Sequence, residues 1–466
     1  MVPKPRPIPA PASPGDDAAA LSLRAASYEG GFTAIMSGVS EPFMIPYALA
    51  LGATSFEAGL LSSVRNLVLA LVQLKAADAV RWAGSRKTVV LWAVGLQASL
   101  WIPLALVGPL FGSWAVAALI GCYTVATASA ALGGPAWGSL MAEYLPAAER
   151  GRFFGHRARV VGLFSTVAGL VAGGTLQLLS GRPVLGFGLL CGAAGISRMA
   201  SWYWVARFHE EPWQESPHLR FSFWQFVRQV RRSNFARFSV CLAAYNFAVH
   251  LAAPYFAVYM LRELHFSYLA YTGVVLAGSV TGFLASPWWG RIGDRIGNRA
   301  VIRWTALGVA VLPLLWCVSG ARPWMMALNA TGAFLWGGLN LSATNFLYDA
   351  VTPPKRHTCL AYFNVVNGVG VSLGALVGGV AVAWLPVIGT SVFATIFLCS
   401  TGLRFAVAAA FPRLVREVRE LHAVGPVRLR DLIVDPMGQR LVQVLDYLSR
   451  TEAPQDRRRK RRPLAS

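Results

Sequence analysis

Apolar residues in this chain gather into long unbroken runs, separated by short polar ones. About twelve runs approach the ~20 residues needed to cross ~30 Å of hydrocarbon. They fall at 28–50, 57–76, 87–108, 113–136, 158–180, 183–206, 238–260, 268–289, 302–319, 323–348, 359–384 and 389–411. The runs are continuous rather than alternating, and a backbone in lipid satisfies its polar groups only as a helix or a closed barrel. The pattern predicts an all-α polytopic membrane protein with twelve transmembrane helices.

The two halves correspond at one offset of 206 residues. Glu143 and Arg150 recur as Asp349 and Arg356, Gly162 and Gly173 as Gly368 and Gly379, and Arg198 and Arg207 as Arg404 and Arg413. Each pair holds an equivalent place in the hydropathy pattern, which implies two copies of one six-helix unit. A parallel duplication of that size points to a transporter that rocks one half against the other. The predicted organisation is an N-terminal tail (1–24), a six-helix bundle (25–206), a linker (207–237), a second six-helix bundle (238–411) and a basic tail (412–466).

Composition agrees. Hydrophobic residues make up 55% and charged residues 14% of the chain, against the ~25% charged residues of a soluble protein. With both termini inside, about 36 of the 42 Lys and Arg residues fall in cytosolic segments. Arg182, Arg262 and Arg322 fall in outer loops, and Arg65, Arg198 and Arg404 within helices. The opposite topology reverses that ratio, so the positive-inside rule sets the orientation. The net charge of +21 is therefore no sign of nucleic-acid binding. The six cysteines lie in or at the ends of predicted helices without a CxxC pair, as small apolar fillers. Residues 1–24 show no cleavage pattern, so the first helix is expected to be an uncleaved signal anchor.

Two polar stretches remain. In the linker, Phe223, Phe226, Val227 and Val230 are spaced to line one face of a surface helix; a solvated linker is the alternative. In the tail, Leu441, Val442, Val444, Leu445 and Leu448 form a similar face, followed by the basic run Arg457–Arg462. The anionic inner leaflet is its expected partner.

After the eighth helix stands Gly290-Arg-Ile-Gly-Asp294-Arg295-Ile-Gly297-Asn-Arg299. It resembles the major facilitator superfamily loop pattern G-x-x-x-D-R-x-G-R-[RK], departing from it at Asn298. A degenerate copy follows helix 2, with Asp78, Gly84, Arg86 and Lys87, and Leu74 where the pattern has Gly. The resemblance covers about residues 25–411. It implies two pseudo-symmetric six-helix bundles, and a cytosolic latch built from Asp294, Arg295, Arg299, Asp349 and Arg356 in one half and Asp78, Arg86, Glu143 and Arg150 in the other. Chemically, Gly297 permits a tight turn, Asp294 can face the positive N-terminus of helix 11, and Arg295 or Arg299 can reach Asp349.

Charges within the membrane need a reason. Glu41 and Arg65 fall at matched depths, roughly 14 Å from the outer surface at 1.5 Å per residue. They read either as a protonatable coupling site or as a static ion pair between helices 1 and 2. Arg198 and Arg404 lie near cytosolic ends and are expected to snorkel inward. His250 is a second candidate for proton coupling.

The resemblance assigns the central cavity mainly to helices 1, 4, 7 and 10. Polar residues there are Thr124, Thr127 and Ser129 on helix 4, Tyr245, Asn246 and His250 on helix 7, and Asn329, Asn340 and Asn345 on helix 10. Helix 11 adds Asn364 and Asn367 on one face. Each could instead be interhelical glue; their concentration favours a polar pore.

The chain carries no GxxxxGK[ST] and no HExxH or paired metal-binding cluster. Neither an ATP-driven step, an enzyme activity, a cofactor nor a metal is expected. Helix 4 lacks the Arg, and helix 5 the Gly-Pro element, of proton-linked drug antiporters. The sugar-porter P-E-S-P-R after helix 6 is missing too. The expected function is secondary active transport of a small polar or amphipathic organic solute by a proton-coupled monomer. Its expected place is the bacterial cytoplasmic membrane, with both termini cytosolic. The alternative is a non-transporting sensor or scaffold that acts through its tail.

Overall fold

A computed structural model describes residues 16–145, 147–210, 228, 233–385 and 391–417. The helix proposed around Phe223 and nearly all of the tail lie outside these residues. Among the described residues the membrane-spanning elements are helical throughout.

In the first half, α1 (Asp16–Ser40) continues through a 3-10 turn, Glu41–Phe43, into Met44–Ala50. Pro42 at that turn has no N–H to donate, so the helix bends there. Then come α2 (Ser55–Gln73), α3 (Arg86–Ala105), α4 (Ala115–Tyr144), α5 (Ala147–Leu178) and α6 (Pro183–Val205). The second half repeats the series with α7 (Asn234–His250, carried on by Ala253–Val258), α8 (Tyr268–Ile296) and α9 (Asn298–Trp316). It ends with α10 (Arg322–Asp349), α11 (Pro353–Trp384) and α12 (Val392–Leu414). The break in α7, at Pro254, matches the break in α1.

Among the described residues ten helical stretches are long and apolar enough to cross a membrane, and α1 and α10 are not among them. Both carry polar side chains that a hydropathy average penalises: Glu29 and Glu41 in the first, three Asn in the second. Several helices also outrun their apolar cores. The run predicted at 158–180 belongs to a helix that begins at Ala147, and α8 carries on to Ile296 through its charged loop motif. A short helix, Ala76–Ala83, lies between α2 and α3 where the sequence predicted only loop.

Within the first bundle α3 packs on α4 and α6, and α1 on α5 and α6; within the second α8 and α9 pack on α10, and α7 on α11 and α12. The bundles meet along α2–α11 and α5–α8. Glycine makes the closest approaches possible. Gly370, Gly374 and Gly378 repeat every fourth residue along α11, and a Cβ on any of them would collide with a carbonyl of α7: those of Ala243, Phe247 and Leu251. At the bundle interface a Cβ on Gly368 would strike Ala70, and one on Gly173 would strike Thr272.

Candidate functional site

The most buried charge cluster joins α1, α5 and α6. Glu29 is 5% exposed. Its carboxylate accepts from Arg157 at 2.8 Å and from Thr33 at 2.7 Å, and stands 3.7 Å from Arg198. Arg198 donates to Thr33 at 2.6 Å and Ser201 at 3.1 Å. The Arg157 guanidinium lies 4.4 Å from the Trp137 ring centroid, which ties α4 into the cluster. The snorkelling expectation for Arg198 is overturned: it turns into the bundle because Glu29 and two hydroxyls solvate it there. Sequence reading missed Glu29, although it stands inside the first apolar run.

Arg404, the repeat partner of Arg198, is also buried rather than snorkelling. It donates to the carbonyls of Val309 at 3.1 Å and Val249 at 3.2 Å, without a carboxylate. The repeat preserves the cation but not its counter-ion.

Glu41 and Arg65 do not form an ion pair. Glu41 sits exposed on the 3-10 turn of α1. Arg65 instead lies over Tyr123 of α4, 5.4 Å from the ring centroid, with its Nε buried and unpartnered. Both charges act electrostatically on the Tyr123 phenol. The break in α1 turns the carboxylate away from the helix-to-helix register that matched depth had suggested.

Carboxamides collect between α2, α7 and α11. Asn246 donates to Asn367 at 2.6 Å, and Asn364 to Gln73 at 3.1 Å. They border a cavity of about 170 Å³ lined by Asn66, Leu69, Ala70 and Gln73 from α2 and Asn364, Asn367, Gly368 and Val371 from α11. Asn66 and Gln73, absent from the predicted set, stand two turns apart on one face of α2. His250 Nδ1 donates to the Asn246 carbonyl at 2.9 Å, one turn away on α7.

The remaining predicted cavity residues divide. Thr124 is buried with no partner for its hydroxyl, while Thr127 and Ser129 bond back to their own helix. Tyr245 donates to the Ala306 carbonyl at 2.7 Å and Asn329 to the Val274 carbonyl at 2.7 Å, so both tie helices together within the second bundle. Asn340 is exposed and Asn345 half-buried on α10.

At one end of the bundles the two loop motifs build matching clusters. Arg86 pairs with Glu143, and its Nε lies 3.1 Å from Glu210. Glu210 also accepts from the backbone N–H groups of Arg86 at 2.8 Å and Lys87 at 3.1 Å, capping α3. Burial pushes the Glu210 carboxyl up, but the bonds from Ser85, the two amides and Arg86 outweigh it and hold it below the usual range. In the second half Glu417 accepts from the Arg299 amide at 2.8 Å, and Asn298 donates to Asp349 at 3.3 Å. Arg299 does not reach Asp349; its guanidinium bonds the Pro412 carbonyl at 2.5 Å. Asn298, the departure from the motif, takes the place that Arg86 holds in the first half. Asp78 pairs locally with Arg81 and Lys75, and the Arg81 hydrogen bond chiefly lowers its carboxyl against a smaller upward push from burial. Gly297 starts α9 at φ +87°, where other residues are strained, and Gly290 packs toward Leu341. The side chains of Arg150, Asp294, Arg295 and Arg356 lie outside the described set.

Residues 236–442 match the family model of the Major Facilitator Superfamily. This match, over less than half of the chain, points to the major facilitator superfamily. Curated relatives match over short stretches. Major facilitator superfamily domain-containing protein 10 of Mus musculus is 27% identical over 26% of this chain and 27% of its own. The class B tetracycline resistance protein of Escherichia coli is 27% identical over 23% of this chain and 27% of its own. The chain thus aligns with under a third of the length of these relatives. Solved structures match the fold more widely. A variant of the nucleoside transporter NupG superposes with a TM-score of 0.67 at 13% identity, covering 85% of this chain and all of that one. A bacterial homologue of ferroportin, in an inward-facing state, gives 0.60 at 14% identity over 85% of this chain and 98% of its own.

The family-model match and the apolar helices support a multi-pass membrane protein of transporter type. The two bundles are tied together at the ends opposite the loop motifs. Tyr271 of α8 donates to the Pro42 carbonyl at 2.7 Å, and Arg262 bonds the Ala53 carbonyl. Ser63 and Ser372 meet at 2.9 Å lower on the α2–α11 seam.

Proposed function

We propose that this protein is a secondary active transporter that moves a small polar organic solute by alternating access. The observation that carries the reading is the carboxamide-lined cavity on the α2–α11 seam, with the bundles tied at the opposite ends of their helices by Tyr271–Pro42 and Arg262–Ala53. This arrangement corresponds to a cavity reached from the cytosolic side. Nucleoside transport, iron transport and tetracycline resistance belong to the relatives and neighbours named above; nothing ties those solutes to this chain.

Protons are the coupling ion in this reading. Glu41 lacks an ion-pair partner, which favours a titrating carboxylate over a static tie. His250, on the face of α7 nearest the carboxamides, is the second coupling candidate. In this reading both termini face the cytosol of a bacterial inner membrane, an orientation the positive-inside bias supports, and the basic tail rests on its anionic leaflet. The transporter works as a monomer, since each chain holds both bundles. Purified protein in liposomes should accumulate or release its solute faster under an imposed pH gradient than without one. Flux that ignores the gradient rejects proton coupling; absence of flux for every solute in a broad library rejects transport and favours the sensor reading.

A further inference from the structure

We infer that the solute is an organic anion, and that Arg65 is the cation that binds it. This deepens the transport reading and rests on it. Arg65 stands on α2 about half-way through the membrane by residue count. A guanidinium keeps its charge there, because its pKa lies far above any working pH. Intramembrane cations therefore need a counter-charge or a bed of carbonyls. The other two arginines within the predicted spans have one: Arg198 has Glu29, and Arg404 has the Val249 and Val309 carbonyls. Arg65 has neither. Among the described residues no carboxylate pairs with it; its guanidinium lies over the Tyr123 ring and shares a side-chain hydrogen bond with that phenol. That contact holds the guanidinium in place yet leaves its charge without an anion. It is partly exposed, whereas Arg198 and Arg404 are 6% and 3% exposed.

A planar fork held on an aromatic ring suits a carboxylate or similar oxyanion, which it can take with two parallel hydrogen bonds. Thr124, next to Tyr123, has a hydroxyl with no partner and could serve the same ligand after a side-chain rotation. Glu41 is the opposing charge. It acts on the same phenol as Arg65 without pairing with the guanidinium, so it disfavours a bound anion while ionised. Neutralising Glu41 should therefore strengthen anion binding.

The test uses thermal stabilisation of the purified full chain by matched probes: benzoate against benzamide, lactate against lactamide, and nicotinate against nicotinamide, at equal ionic strength. At least one carboxylate should stabilise the protein where its amide does not. Arg65→Gln should weaken that carboxylate at least tenfold, Arg65→Lys should retain part of the effect, and Glu41→Gln should tighten it. If no carboxylate exceeds its amide, or if Arg65→Gln leaves carboxylate binding unchanged while the variant keeps its unliganded melting temperature, the inference is overturned. Should Arg65→Gln melt early, the Glu41→Gln arm decides, and unchanged affinity there rejects the site. Transport of a neutral solute with no anion effect would overturn the anion assignment and leave the transport reading standing.

Discussion

Glu29 and Arg404 show how one buried charge differs from another. Glu29 is the acid of a three-charge cluster with two arginines, so Glu29→Gln leaves both cations with less compensation than they need. Breaking such a cluster from one side costs about 3–5 kcal/mol. We expect Glu29→Gln to lower the melting temperature of detergent-solubilised protein sharply, and Glu41→Gln, which breaks no ion pair, to leave it nearly unchanged. Glu41→Gln should instead abolish gradient-driven accumulation while solute counterflow persists, because exchange requires no proton release. Equal loss of stability in both variants would mean that Glu41 is as structural as Glu29. Of these roles the sequence showed the candidate charges but not their partners. Matched depth on neighbouring helices suggested a Glu41–Arg65 pair. The Pro42 break and the Tyr123 ring decided otherwise.

Helix ends and helix seams carry the next set of consequences. Glu210 caps α3 with a carboxyl held below its usual range, so its folded form binds its proton less readily than the unfolded form. That contribution is fully present above the unfolded carboxylate range, near pH 4, and fades as pH falls through the lower folded value. Glu210→Gln should cost about 2 kcal/mol at pH 7. The gap to wild type should close as thermal melts are taken toward pH 3; a gap independent of pH would show that the carboxylate charge is not what caps α3. Along α11, Gly374→Val should prevent the helix from seating on the Phe247 carbonyl of α7. A folded variant with wild-type melting temperature would show that this seam can open without loss. The loop motif was legible as a pattern, and Gly297 takes the positive φ expected of its turn. Asn298 was legible only as a departure. Its bond to Asp349 depends on where α10 ends beside α9, which no local pattern encodes.

For the whole molecule, closure of the outer ends is the testable property. A disulfide between Ala53→Cys and Arg262→Cys should form readily, stop flux, and restore it on reduction, because alternating access requires that contact to open. Continued flux through the cross-linked protein would show that the contact is no gate. At the other end, Asp294→Asn should shift distances between spin labels on the cytosolic faces of the two bundles toward the inward-open population without removing solute binding. Unchanged distances would remove Asp294 from the latch.

Apolar runs and turn glycines determined the helical membrane fold and its twofold repeat, and the inside excess of arginine gives the orientation expected of it. Those signals are local or additive, since each helix must satisfy its own backbone in lipid and each loop contributes its own charge. The pairing of Glu29 with Arg157 and Arg198, the carbonyl bed of Arg404, the isolation of Arg65 and the carboxamide-lined cavity were decided only by tertiary structure. They depend on which helix faces which across the bundles, and a side chain's partner in the membrane is set by the rotation and bending of helices far apart in the chain.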